Sequence, residues 1–520
     1  MSEQIPLDNG NRDNQGMVVI RYRIVVGVGL GYLVLPICIF FLTWLRWYIG
    51  IPAAVILLVG GITLFEQSYA ANKDIIAIPK KHLIAIAAFL AIWVWTTGVG
   101  NFFVSAYDHP WRTAIFRDLI NYKWPVIYPE SGHAMVYYLC YWMVPALAGK
   151  VLGWTAGNLV LLLWTYAGVI LTFLILNHIC RIKTAGGSWC AAVLLFGWSG
   201  LNIVGSAVTQ ILNINLYPFS LNSFLGWLDG LFNGYSFNFF YRTNEETLME
   251  IYNQAAPLWI ATLLALDNKK NIQNYAFLGL CLLPFAPLPF LGLAVFMLAF
   301  FTAELKESVK CKKIKGFLSK LFSIQNICAA ITVFPIMLLF YTCNTTTSQE
   351  SGGGIMMLPL EYFDKPRLLG IVLFWVLEFG VIAFLIHGKY RHNYIFKVVV
   401  VSLLLCPLIE FGKKGGRDFC MNASLPALFM LMYYTVVYLN EEVIDKKLKA
   451  RNLVILCVLG LSILSPVGQI AAELDAIGDQ KTFPIVNDWV YTLSDKDPFT
   501  MENFLVADPE EKHFYKYLAK

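Results

Sequence analysis

Long apolar runs separated by short polar turns make up most of the chain. A helix needs about 20 consecutive apolar residues to cross the hydrocarbon core of a bilayer. Runs of this kind lie at 24–44, 48–65, 83–105, 157–179, 187–207, 249–266, 324–342, 368–387, 394–410, 424–440 and 452–469. The interval 274–303 is broken by three prolines and has lysines on both flanks, which predicts a helical hairpin of two short passes. The pattern predicts an all-α polytopic membrane protein with about thirteen transmembrane helices.

One further apolar segment, 133–153, decides the orientation of everything that follows it. It is long enough to cross but carries Pro145 in its middle and Lys150 near one end. If it crossed, most basic turns downstream would move to the outer side, against the tendency of Lys and Arg to remain inside. We therefore predict that 133–153 is a membrane-surface helix, that the N-terminus is cytoplasmic and that the C-terminus is external.

This topology divides the chain into three parts. Residues 1–23 form a cytoplasmic N-terminal arm and 24–469 a transmembrane domain, in which the apolar run from Ile24 is a retained anchor. Residues 470–520 form an external C-terminal segment, which is too small for a core of its own and is expected to pack on the external loops. The external loops are predicted at 106–156, 208–248, 343–367 and 411–423.

Composition supports the membrane class. The chain is 58% hydrophobic and 14% charged, with a mean hydropathy of +0.61, which excludes a soluble protein. The net charge of +5 comes from basic turns between apolar runs, so we expect no nucleic-acid partner. The eleven cysteines have no CxxC spacing, so neither a metal site nor a disulfide framework is indicated.

The first external loop carries the densest run of reactive side chains, and Asp108 stands at its start. A carboxylate held at the membrane surface beside cations can deprotonate an acceptor hydroxyl next to a lipid phosphate. Arg112 and Arg117 would bind that phosphate. The alternative is that Asp108 caps the helix that follows and that the arginines extend to lipid phosphates.

Two other polar clusters lie in predicted external segments. The turn at 410–422 contains Lys413, Lys414 and Arg417, and three cations there suit either a lipid-linked phosphate or anionic lipid in general. The segment 241–246 begins a span, where its carboxylates either belong to an anion site or serve as ordinary charges of a helix N-terminus. Glu378 falls near mid-span and should face the protein interior.

Several stretches together resemble the GT-C superfamily of integral membrane glycosyltransferases, which use sugars linked to polyprenyl phosphate. The stretches are Tyr107-Asp108-His109, the amphipathic 117–129, YYLCYWMVPALAGKVLG at 137–153 and LNHICRIK at 176–183. The similarity covers residues 83–270 as a pattern, and the pass number resembles the aminoarabinose and mannosyl transferases. The chain has a single acid where members often have a pair, and no WWD-type acceptor motif.

The resemblance implies a glycosyltransferase of the bacterial inner membrane that moves a sugar from a polyprenyl-phosphate donor to a glycan, lipid or protein acceptor on the non-cytoplasmic face. Asp108 would be the general base, and aromatic residues such as Trp111, Trp124 and Tyr128 would stack on sugar rings. No cofactor is expected, and a divalent metal is not indicated because paired acids are missing. The expected substrate-binding residues are His109, Arg112, Arg117, Asp118, Lys123, Tyr128, Arg242, Glu245, Lys413, Lys414 and Arg417.

Two other functions fit the same sequence. One is a transporter or flippase for a lipid-linked or anionic solute, in which Glu378 and the external cations line a pathway. The other is a lipid-binding accessory protein without turnover.

Overall fold

A computed structural model describes residues 16–103, 109–205, 239–343, 355–358, 365–411, 418–444, 446–475, 490–494 and 503–520. Apolar runs become helices because a bilayer offers no hydrogen-bond partners, so the backbone must satisfy its own groups. Twenty α-helices lie within these residues: α1 (Tyr22–Trp44), α2 (Trp47–Ser68), α3 (Lys80–Thr96), α4 (His109–Asn121), α5 (Met143–Leu152), α6 (Trp154–Ile179), α7 (Ala185–Gly197), α8 (Asn244–Glu250), α9 (Tyr252–Asp267), α10 (Tyr275–Leu282), α11 (Pro287–Lys310), α12 (Ile314–Leu321), α13 (Ile324–Tyr341), α14 (Lys365–Trp375), α15 (Val381–Tyr390), α16 (Tyr394–Leu405), α17 (Asp418–Ala423), α18 (Leu425–Glu442), α19 (Ala450–Ser462) and α20 (Leu464–Asp475).

Eight helical stretches in the described residues are long and apolar enough to cross a membrane. They are Tyr22–Trp44, Trp47–Ser68, Trp154–Ile179, Pro287–Lys310, Ile324–Tyr341, Arg367–Tyr390, Asp418–Glu442 and Ala450–Ala471. The prediction of an all-α polytopic membrane protein is confirmed at this level. The other predicted passes fall on the shorter helices α3, α7, α9, α10 and α16, so the number thirteen stays a prediction.

The predicted hairpin at 274–303 is unequal. α10 has eight residues, about 12 Å of helix, whereas α11 has 24 residues, about 36 Å. Its two flanks meet at one end of the bundle, where Ser323 Oγ donates to the Gln273 carbonyl at 2.6 Å and Asn326 Nδ2 to the Ile272 carbonyl at 2.9 Å. The chain thus returns to the end of the bundle from which it started, as predicted for a hairpin. The expectation of two short passes is wrong for the second helix, since Pro287 begins α11 at a position where proline is tolerated.

The segment 133–153 does not form a membrane-length helix. It contains a two-residue strand, a 3₁₀ turn at Leu139–Trp142 and α5, whose ten residues give about 15 Å of helix. Gly153, with φ of 87°, then reverses the chain into α6. The continuous helical stretch, Leu139–Leu152, is no shorter than several helices on which predicted passes fall, so the surface position of 133–153 stays a prediction.

Three short antiparallel ladders, which the sequence did not predict, join distant segments. β1 (Met17–Arg21) pairs with β2 (Ile75–Pro79), and Met17 lies opposite Pro79. β3 (Ala134–Met135) pairs with β6 (Leu505–Val506), and β4 (Ile355–Met357) pairs with β5 (Ile409–Phe411). The first ladder incorporates the end of the predicted N-terminal arm into the folded structure.

The described part of the C-terminal segment lies along the α4–α5 region and the turn between α1 and α2. Val136 N donates to the Phe504 carbonyl at 2.8 Å beside the β3–β6 ladder. Farther along, Arg46 Nε donates to the Ala519 carbonyl at 2.9 Å, and Lys520 N to the Trp44 carbonyl at 3.0 Å. The tail therefore packs on the loop after α3, as its small size suggested.

A polar network closes the opposite end of the bundle. Asp267, at the end of α9, accepts hydrogen bonds from the Tyr22 hydroxyl at 3.0 Å and the Tyr69 hydroxyl at 2.8 Å. The Tyr22 ring stacks on His178 with 3.5 Å between ring centroids. These contacts join α1, α2, α6 and α9 at one level, so the central helices share a common register.

Close packing in the centre can be tested at Gly168 of α6. A Cβ at this position would lie 2.5 Å from the Ala256 Cβ and 2.6 Å from the Tyr32 hydroxyl. Gly168→Val should therefore lower stability by about 1–3 kcal/mol through overpacking. Gly460→Val, on α19 where nothing lies within 4 Å, is the control. Thermal melting in detergent should show a lower Tm for Gly168→Val alone; equal melting of both variants would contradict this packing.

Candidate functional site

A cavity of about 310 Å³ lies at the end of the bundle where the C-terminal segment packs. Its size falls at the lower end of the range for small-molecule sites. Six parts of the fold contribute to it: α4, the stretch before α5, the region around α8 and the start of α9, the beginning of α11, α17, and the tail. The described lining residues are Trp111, Arg112, Tyr137, Tyr138, Arg242, Ile251, Gln254, Pro287, Leu288, Asp418, Asn422, Asn503 and Phe504.

Arg112 comes to the cavity on α4. The helix begins at His109, whose Nε2 lies 2.5 Å from the Met249 carbonyl oxygen, so the start of α4 is fixed to α8. Arg112 is only 7% exposed, and its Nε lies 3.4 Å from the Asn253 Oδ1. The sequence thus delivers one nearly buried guanidinium group to the cavity wall.

Arg242 reaches the same cavity from the start of α8. It is 8% exposed and forms an ion pair with Glu250 at the other end of that short helix. α8 begins with a capping box, in which Thr243 Oγ1 accepts from Glu246 N at 2.9 Å and the Glu246 carboxylate accepts from Thr243 N at 2.7 Å. One carboxylate of the 241–246 cluster is therefore an ordinary helix cap.

The two guanidinium groups give the cavity its chemistry. Arginine stays charged at any ordinary pH and has five N–H donors, so it can keep protein partners and still donate to a ligand. Its planar fork matches the oxygens of phosphate or carboxylate. Asp418 lies at the same cavity and is exposed. The arrangement suits an anionic ligand that also carries a group able to interact with a carboxylate.

Aromatic and amide side chains form another part of the cavity wall. The rings of Tyr137 and Tyr138 stack at 3.7 Å, and Phe504 meets Tyr137 edge-on at 5.0 Å. Gln254 Nε2 lies 3.5 Å from the Tyr138 hydroxyl. Flat apolar faces beside amides are the surroundings that a sugar ring, with C–H faces and hydroxyl edges, would require.

Three other residues of the predicted site attach the tail instead of lining the cavity. Asp118 is 1% exposed and accepts hydrogen bonds from the Tyr128 hydroxyl at 2.7 Å, the Thr492 hydroxyl at 2.9 Å and Leu493 N at 2.9 Å. Arg117 donates to the Tyr491 carbonyl at 2.7 Å, and its guanidinium lies 4.1 Å from the centre of the Tyr491 ring. Their observed contacts are structural ones that hold 490–494 against α4.

The other expected residues have separate positions. Lys123 is exposed and does not line the cavity. Glu245 is fully buried and accepts a hydrogen bond from the Trp93 indole N–H. Asp108, Lys413, Lys414 and Arg417 lie outside the described residues.

Sequence reasoning missed several residues of the cavity, including Tyr137, Tyr138, Gln254, Asn503 and Phe504. They belong to an apolar segment, a span and the tail, and no local pattern connects them. The β3–β6 pairing, with the hydrogen bonds beside it, brings the tail to Tyr137. As for metal ligands, no group of three or more His, Cys, Asp or Glu side chains that could hold an ion is found among the described residues.

The buried Asp118 carboxylate makes tail docking sensitive to pH. Burial raises the pKa of Asp118 to about 6 from its ordinary 3.8, while its hydrogen bonds and the nearby Arg117 reduce the rise. The docked state thus holds the proton more tightly than the undocked state. The docking free energy should be most favourable below pH 4, weaken as the pH rises to 6 and level off above that.

Hydrogen exchange at Leu493, corrected for the intrinsic pH dependence, should show protection falling between about pH 4 and 6. Asp118→Asn should flatten that profile, because an amide does not ionise in this pH range. An unchanged profile in the variant would show that Asp118 is not the titrating group.

Comparison with protein-family models, with curated proteins and with solved structures finds no match to this chain. The functional interpretation therefore depends on the cavity and the residues that form it.

Proposed function

We propose that this protein is a membrane glycosyltransferase that transfers a sugar from a polyprenyl-phosphate-linked donor to an acceptor on the non-cytoplasmic face of a bacterial inner membrane. One observation carries the proposal: Arg112 and Arg242, both nearly buried, line one polar cavity with stacked aromatic rings at the end of an apolar helix bundle. Such a cavity suits a phosphate and a sugar together, with the prenyl chain in the membrane beside it. The resemblance to the GT-C superfamily is a second, independent support.

The proposed reaction is a displacement at the anomeric carbon. The acceptor hydroxyl oxygen forms a bond to that carbon while the bond from the carbon to the phosphate oxygen breaks. The electron pair leaves with the prenyl phosphate, whose growing negative charge the guanidinium groups would stabilise. The hydroxyl proton passes to Asp108, the proposed general base, which directly precedes His109 in the sequence.

The remaining expected substrate-binding residues and the expected topology are consistent with this reaction. Of the other expected substrate-binding residues, Arg417 immediately precedes Asp418 of the cavity in the sequence, and Lys413 and Lys414 lie five and four positions before it. About thirteen passes, a cytoplasmic N-terminus and an external C-terminus would put the cavity on the outer side. The acceptor is a glycan, a lipid or a protein, and no metal is required by this mechanism.

A second candidate function, transport, is supported by the position of Glu378. This residue is 6% exposed and lies in a π-helical turn, Val376–Gly380, inside a candidate span. Gly200 packs so closely that an added Cβ would lie 2.7 Å from the Glu378 Cα. π-turns and buried carboxylates within membrane segments often serve transport. A transporter or flippase would move a lipid-linked or anionic solute across liposomes without a covalent product.

Asp108→Asn tests the proposed base. In nanodiscs, the wild-type protein should release the sugar from a polyprenyl-phosphate-hexose donor, detected by mass spectrometry. The variant should bind the donor equally well but lose transfer, because the amide cannot accept the proton. An active Asp108→Asn variant would remove Asp108 from the mechanism; no donor binding by either protein would favour transport.

Arg112→Gln tests the phosphate contact. Loss of a charge-assisted hydrogen bond should weaken binding of polyprenyl phosphate about 10- to 100-fold. Arg391→Gln is the matched control, since Arg391 is an exposed arginine of the α15–α16 turn, away from the cavity lining. Equal affinities of both variants, measured by lipid titration, would contradict a role for Arg112 in binding.

A further inference from the structure

Six lysines fall between residues 306 and 320, at the end of the bundle opposite the cavity. α11 begins at the cavity with Pro287 and Leu288 and runs about 36 Å to the lysine-rich turn. All six side chains are exposed, and within the described residues none takes part in a salt bridge. The lysines are Lys306, Lys310, Lys312, Lys313, Lys315 and Lys320.

α12, the short helix after this turn, is amphipathic. Phe317 is its one buried residue and packs on Phe301 of α11, with 5.3 Å between the ring centroids. Ile314 and Leu318, one helical turn apart, remain 44% and 45% exposed. The backbone reverses just before α12, where Lys312 has φ of 56° and Lys313 N donates to the Ser308 carbonyl at 2.8 Å. Phe317 therefore holds α12 in place, while Ile314 and Leu318 stay uncovered.

The uncovered apolar surface continues into α13. Phe322, between the two helices, is 66% exposed. Along α13 an exposed apolar stripe repeats every three or four residues, as on a helix face turned toward lipid. The stripe consists of Ile324, Ile327, Ile331, Phe334 and Leu338. α12 and its lysines therefore lie directly before a helix face suited to contact with acyl chains.

We propose that α12 and the lysine turn before it form a binding surface for anionic phospholipids. Ile314, Leu318 and Phe322 enter the boundary between headgroups and acyl chains, and the lysines contact headgroup phosphates. The charge is complementary, since Glu307 is the one acidic residue among 306–320. The exposed apolar residues between the lysines distinguish this surface from one that binds a soluble polyanion, which would need charge alone.

The experiment uses the full-length protein in micelles, titrated with phosphatidylglycerol or with phosphatidylcholine of the same acyl chains and followed by native mass spectrometry. The wild type should prefer phosphatidylglycerol. A triple variant, K312Q/K313Q/K315Q, should lose that preference about tenfold or more, because each lysine near a headgroup contributes to attraction.

Two controls make the result specific. K446Q/K447Q/K449Q removes the same charge from another exposed basic turn and should change the preference less than twofold. I314Q/L318Q keeps every lysine and should also weaken phosphatidylglycerol binding. Equal losses in both lysine variants, no loss in the first, or displacement of the lipid by millimolar inorganic phosphate would overturn the proposal.

Discussion

Two nearly buried arginines, which are always charged, require polar partners from the surrounding structure. Arg112 and Arg242 are 7% and 8% exposed, and an arginine cannot escape the cost of burial by losing its proton. The protein compensates Arg242 with Glu250 and places Asn253 beside Arg112. The helices, the tail and the loop after α3 must then meet around these groups. Both guanidinium groups line one cavity at the end of an apolar helix bundle.

The charged residues of the first loop have two different positions, at the cavity and at the tail, which the sequence does not distinguish. Arg112 and Arg117 lie five positions apart on α4, which places them about 140° apart around the helix axis. One faces the cavity, and the other holds the tail through Tyr491. Asp118 works with Arg117 in attaching the tail, and the tail in turn supplies Asn503 and Phe504 to the cavity wall. α4 and the tail therefore each contribute both to the cavity wall and to the attachment of the tail.

The sequence predicted what depends on local pattern. Apolar run lengths located the helices, and the prolines at 284, 287 and 289 predicted a break in the helix. They did not predict that α10 would be far shorter than α11. The interior position expected for Glu378 is confirmed by its 6% exposure. The cavity itself could not be predicted, because Tyr137 and Phe504 meet only through a ladder between distant segments. The Thr243–Glu246 capping box was readable from its spacing yet was not recognised.

The most direct test of the central claim is an electron cryo-microscopy structure of the protein in nanodiscs with a polyprenyl-phosphate-hexose donor. The proposed function predicts density for the phosphate within hydrogen-bond distance of both Arg112 and Arg242, with the sugar against Tyr137 and Tyr138. An empty cavity with the donor bound elsewhere, or no bound donor at saturating concentration, would contradict it.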